Sequence, residues 1–248
     1  MAGRRASEQT REAVFLTLGA VFLAALISCN LIFRKFFAWE LPALSWLGLN
    51  PRMELSVGIL AYPVTFICTD VLSEFFGRRR VGQLVTAGFF ASAFVVGLVW
   101  VANAVPATSW SALDDAAFDL AFGIQGVAVA ASMGAYLGAQ YMDIRLFHFW
   151  KRLTRGRHLW LRNNASTFTS QLVDTILVTV LLSVLGASEI TPDRLPMLIL
   201  DGVIFKWIVA ICDTPVIYAV VWFLRRRVGL AEESEAAVNR AGPEGLPA

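Results

Sequence analysis

Apolar runs of about 20 residues, each long enough to cross a hydrocarbon core about 30 Å thick, recur along the chain between short charged stretches. The pattern predicts six membrane-spanning helices, at about 13–33, 55–76, 80–104, 117–142, 164–187 and 197–224. Six runs and their loops use nearly the whole chain, so one all-α domain is expected. It is a polytopic membrane bundle over 13–227, with a cytoplasmic head at 1–12 and a disordered cytoplasmic tail at 228–248. The tail reading rests on Glu232, Glu233 and Glu235 with Gly, Pro and few large apolar groups.

Composition supports the membrane reading. The 248 residues are 57% hydrophobic and only 16% charged, where a soluble domain carries about a quarter. The net charge of +2 says little as a total. The Arg and Lys residues cluster in loops and tails, where they read as topology signals and not as a nucleic-acid surface. With both termini in the cytoplasm, sixteen Lys and Arg fall inside and four outside, as the positive-inside rule requires. The first loop, with Arg34, Lys35 and Arg52, runs against it. Trp39, Trp46, Trp100, Trp110 and Trp222 fall near span ends, as an aromatic belt would place them. Leu26-Ile27-Ser28-Cys29 resembles a lipoprotein cleavage box, but the apolar run continues past it. Cys29, Cys68 and Cys212 each stand alone in an apolar run and read as small buried residues, not as disulfide or zinc partners.

The informative residues are polar groups inside the spans. A charge at mid-bilayer costs at least about 2.5–3.5 kcal/mol, so it must face inward, pair, or hold a ligand. In the second span Asp70 and Glu74 lie one turn apart on one face. Glu74, nearer the interface, is placed to meet Arg78–Arg80. Pro63 should free the carbonyl of Ile59 and kink the helix. The fifth span opens with Arg162-Asn163-Asn164 and carries a polar seam of Asn163, Thr167, Ser170 and Asp174, bordered by Gln171. Asp174 lies near mid-membrane. The sixth span carries Lys206 and Asp213, two turns apart on one face, with Pro215 marking a second kink. Lys206 could pair with Asp213 or with Asp174 on the neighbouring helix, and either pairing is compatible with ligand binding. Gln125 and Gln140 are weaker candidates. Three acids, Asp70, Asp174 and Asp213, against one base suit a cation, a coupling proton, or a neutral ligand rich in N–H donors.

Three separated segments resemble the signature segments of the bacterial queuosine precursor transporters, also grouped as vitamin-uptake-type transporters. They are Tyr62 to Gly77, Arg162 to Thr175, and Lys206 to Pro215, and the resemblance covers most of 13–227. It implies an inner-membrane importer of 7-cyano-7-deazaguanine, and of 7-aminomethyl-7-deazaguanine as a further substrate, for queuosine salvage into tRNA. A deazaguanine presents N1–H and an exocyclic amine side by side, and one carboxylate can accept both. Asp70, Asp174 or Asp213 could supply it. Asn163, Asn164 or Gln171 could serve the carbonyl edge, and Phe66, Phe205 or Trp207 could stack on the ring.

The expected partners are thus a small-molecule substrate and the lipid bilayer, with no nucleic acid, no cofactor and no metal; a homodimer is left open. An enzyme is disfavoured, because His148 and His158 sit in a loop without partner spacing for catalysis or zinc. The alternative is a substrate-binding membrane subunit, for another vitamin-like or nucleobase ligand, that needs an energising partner. The chain itself carries no phosphate-binding loop motif.

Overall fold

The computed structural model describes residues 2–33, 35–48, 52–122, 126–154, 159–184 and 192–228. The tail reading and Gln125 lie outside the described residues, as do the side chains of Asn163, Asn164, Thr167 and Gln140.

The protein is mainly helical. Helix α1 spans Ala2–Ile32, α2 Tyr62–Ala104, α3 Asp115–Phe122, α4 Gly126–Leu153, α5 Leu159–Val184 and α6 Leu195–Phe223. Among the described residues, four stretches are long and apolar enough to cross a membrane: Glu8–Ile32, Val57–Gly77, Arg79–Ala104 and Leu195–Arg226. They match the first, second, third and sixth predicted spans. The second and third spans join at Gly77, whose φ of 77° and ψ of 167° interrupt the helix. Only glycine adopts that backbone region without strain.

The fourth and fifth predicted spans differ from expectation. The fourth divides into the short α3 and the long α4, and α4 continues to Leu153, well beyond the predicted end at 142. Its last turns carry Arg145, Lys151 and Arg152 and so extend a helix into what the charge pattern predicts to be a loop. In α5 the apolar stretch is short, Phe168–Leu181, because the polar seam occupies its first half.

The loop between the first two spans is ordered. Strands β1 (Phe36–Glu40) and β2 (Arg52–Ser56) form an antiparallel hairpin, with Phe36 opposite Ser56 and Glu40 opposite Arg52. Met53 and Leu55 point into the protein and are buried, packing with Ile59 and with Phe205 of α6. Two polar anchors hold the hairpin. The Glu54 backbone N–H donates to the Asp201 carboxylate at 3.0 Å, and the Ser56 hydroxyl donates to the Phe33 carbonyl at 2.5 Å. Trp39 is therefore not a belt residue; its ring meets Phe205 edge-on, with centroids 5.4 Å apart. Trp46, Trp100, Trp110 and Trp222 are exposed, as a belt requires.

The other apolar centre joins Phe22 and Leu26 of α1, Val71, Leu72 and Phe75 of α2, Ile144 of α4, and Ile217 and Val221 of α6. In a bilayer such packing is held by van der Waals fit, since lipid tails are as apolar as the side chains. Two local expectations are corrected. Pro63 sits in the first turn of α2, where its missing N–H costs nothing, and the Ile59 carbonyl accepts the Tyr62 N–H. Pro63 starts the helix and does not kink it. Cys29 and Cys68 are buried, but Cys212 is exposed on α6.

Candidate functional site

The costly charges of the fifth and sixth spans meet. Lys206 Nζ lies 2.6 Å from Asp174 Oδ2, and both side chains are buried. The ammonium also sits 4.3 Å from the centroid of the Tyr62 ring, a cation–π contact that strengthens where water is excluded. Of the two pairings open to Lys206, the structure has the one across helices, with Asp174 and not with Asp213. Asp174 uses only one oxygen here. Its Oδ1 is buried with no hydrogen-bond partner among the described residues, and so is Gln171 Oε1 one turn earlier. Buried acceptors are nearly always satisfied, so two orphans on one face of α5 mark a place where donors are expected from elsewhere.

A cavity of about 170 Å³ adjoins the pair. Its walls are the end of α1 (Cys29, Asn30), the hairpin (Phe36, Glu54), α5 (Asp174, Thr175, Val178, Thr179) and the start of α6 (Leu198, Gly202, Lys206). The Thr175 and Thr179 hydroxyls donate to carbonyls four residues earlier, which leaves their oxygens free to accept. A cavity needs about 10–15 Å³ to hold one water, so this one has room for several waters or a small ligand. Gly202 keeps the wall thin, since a Cβ there would meet Thr175 Cγ2 at 3.1 Å.

On the other side of Lys206 and Tyr62 is a second cavity of about 20 Å³. Pro63, Phe66, Gln171, Phe205, Val209, Ala210 and Asp213 complete its wall. Tyr62 and Lys206 line both cavities and so form the partition between them.

The predicted site residues therefore divide. Asp174 and Lys206 line the larger cavity, and Gln171 and Asp213 the smaller. Asp70 and Ser170 are buried but belong to neither wall; each is engaged within the protein. Glu74 meets Lys151 of α4 at 3.2 Å and Arg225 at 3.6 Å, cations from elsewhere than the predicted Arg78–Arg80. Of the aromatic candidates, Phe66 and Phe205 reach the smaller cavity, while Trp207 packs on Phe168 and donates to its carbonyl. Sequence reasoning missed Tyr62, Glu54 and Asp201. Asp201-Gly202 inside an apolar run was the available signal for the last.

Positions 56–220 match the family model described as "Putative vitamin uptake transporter". The match contains Tyr62, Gln171, Asp174, Lys206 and Asp213, and begins just after the hairpin residue Glu54. A curated relative from Bacillus subtilis (strain 168), named "Probable queuosine precursor transporter", is 30% identical over 132 residues. The aligned stretch is 51% of this chain and 56% of that relative, so the chain spans about half the relative's length. No solved structure matches. With more than half of its residues inside the family model and several helices apolar enough to span a bilayer, this chain is a multi-pass bacterial membrane protein, not an enzyme, and it belongs to the vitamin uptake transporter family.

Proposed function

We propose that this chain imports a 7-deazaguanine precursor of queuosine across the bacterial inner membrane, and that Asp174 reads the donor edge of the base in the larger cavity. The carrying observation is the divided carboxylate of Asp174. Oδ2 is held by Lys206, and Oδ1 is a buried acceptor without a partner among the described residues. Adjacent N–H donors of a guanine-like ring answer that arrangement, because charge-assisted acceptance by a carboxylate is among the stronger hydrogen bonds. Lys206 fixes the carboxylate's rotation. Tyr62 and Phe33 supply apolar faces at the wall, suited to a flat ring. The name of the Bacillus relative supports the same substrate class. Asp70 and Ser170, engaged outside both cavities, hold the helices and do not touch the base.

The reading includes six spans, with α4 and α5 crossing despite their polar faces and with both termini cytoplasmic. The hairpin then lies at the outer end of the bundle, over the larger cavity. Glu74, Lys151 and Arg225 close the inner end. α4 and α5 pack on each other, α4 also on α2 and α5 also on α6, and Ser170, Gln171, Asp174 and Thr175 of α5 are buried, as intramembrane polar groups require.

The test is uptake in a host lacking queuosine synthesis and its own salvage transporter. Supplied 7-cyano-7-deazaguanine should restore queuosine in tRNA only when this chain is expressed, and Asp174→Asn should abolish the restoration while the protein stays in the membrane. Restoration without the chain removes the substrate, and normal uptake by the variant removes Asp174. Purified protein in vesicles separates self-sufficient import from a binding subunit that needs an energising partner.

A further inference from the structure

The smaller cavity has a chemistry of its own. It is water-sized, at about 20 Å³, too small for a heterocycle and large enough for a single water. Three oxygen-bearing side chains from three helices line it: Asp213 of α6, Gln171 of α5 and Tyr62 of α2. Gln171 is 2% exposed, and its Oε1 has no hydrogen-bond partner among the described residues. Lys206, the cation of Asp213's own helix, is held by Asp174. Among the described residues, an acid without its cation thus shares a wall with an acceptor that lacks a donor. A proton on Asp213 resolves both: the carboxyl becomes neutral and gains an O–H to donate to Gln171 Oε1, directly or through one water.

We infer that Asp213 and Gln171 form a proton-carrying site, separate from the substrate cavity, through which import is coupled to the proton gradient. This rests on the import reading above. The balance is simple. One proton from the outer water forms the O–H bond of Asp213, and the same bond breaks to release it into the cytoplasm in each cycle.

The partition between the cavities explains the coupling. Lys206 and Tyr62 belong to both walls. Among the described residues, the ionisable groups facing Asp213 are Tyr62 from α2, Lys206 from its own helix and, through Lys206, Asp174 from α5; Asp70 and Glu74 of α2 are buried outside this wall. Ionised Asp213 competes with Asp174 for the one ammonium. Neutral Asp213 does not, so Lys206 stays on Asp174 and holds Oδ1 toward the substrate. Protonation therefore favours substrate binding. By linkage, substrate binding favours protonation to the same degree, which is the requirement for symport.

The experiment uses the full chain in proteoliposomes with radiolabelled 7-cyano-7-deazaguanine, comparing gradient-driven accumulation with exchange at equal concentration on both sides. Wild-type protein should accumulate substrate under an inwardly directed proton gradient without sodium. Asp213→Asn should lose that accumulation and keep exchange, because an amide mimics the protonated acid but cannot release a proton. Gln171→Leu removes the acceptor that stabilises the protonated form, so its half-maximal uptake should move to lower external pH. It provides the second reading if the Asn variant fails to fold. Gradient-driven accumulation by Asp213→Asn, an unshifted pH profile in Gln171→Leu, or drive by a sodium gradient alone overturns the inference. Exchange without proton-driven accumulation in the wild type overturns it alone. Absence of exchange in the wild type overturns the import reading with it.

Discussion

At the residue scale, the central fact is that Asp174 and Lys206 compensate each other inside a helical bundle. Removing one partner strands the other charge, which for a buried pair costs about 3–5 kcal/mol. Lys206→Met should therefore lower unfolding stability in detergent by that order. The double variant Lys206→Met/Asp174→Leu should recover most of the loss, because well-packed apolar pairs often replace buried ion pairs without penalty, yet it should bind no substrate. A double variant as unstable as the single one would show that the pair is not the coupled unit. The pair was legible in the sequence, since a lone Lys in an apolar run demands a partner and only a few acids lie within reach. Its choice of Asp174 over Asp213 was not, because that depends on how α5 and α6 rotate against each other. Tyr62 was hidden by its chemistry: a half-apolar ring raises no alarm in a span, and its value comes from a cation brought to it from another helix.

At the element scale, the hairpin walls the larger cavity and Gly77 breaks the long second helix. Arg52-Met53-Glu54-Leu55-Ser56 alternates polar and apolar residues with a period of two, a strand signal that was legible but lay between two much stronger membrane runs. Its partner Phe36–Glu40 shows little alternation, and the register between them depends on the intervening turn. The helix break is better announced, by a glycine followed by three arginines. Gly77 has a positive φ that a side chain resists. Gly77→Ala should destabilise the protein by about 1–3 kcal/mol, seen as a lower unfolding midpoint in detergent. An unchanged midpoint would mean that the two limbs of α2 can join as a continuous helix.

At the scale of the whole molecule, the sites are arranged in layers. The hairpin and larger cavity lie at one end, the Lys206–Tyr62 partition in the middle, the smaller cavity beyond it, and Glu74 with Lys151 and Arg225 at the far end. Hydropathy predicted four of the spans closely. α4 and α5 were harder to delimit because the polar groups that build the site also dilute the apolar signal. Orientation is open to cysteine labelling in intact cells. In a background with Cys29, Cys68 and Cys212 replaced, Ser45→Cys should react with an impermeant maleimide from outside, and Thr154→Cys only after the membrane is opened. The reverse pattern would invert the proposed topology.

The most direct measurement is the affinity of the purified protein for 7-cyano-7-deazaguanine and for the analogue lacking only the exocyclic amine, in wild type and Asp174→Asn. Leaving a buried acceptor unsatisfied costs about 1–3 kcal/mol, so the wild type should prefer the complete base by roughly 5- to 150-fold. In the variant, Lys206 should claim the amide oxygen and turn the NH₂ toward the ligand's donors, so the preference should vanish. An equal preference in both proteins would contradict the claim that Asp174 reads the donor edge.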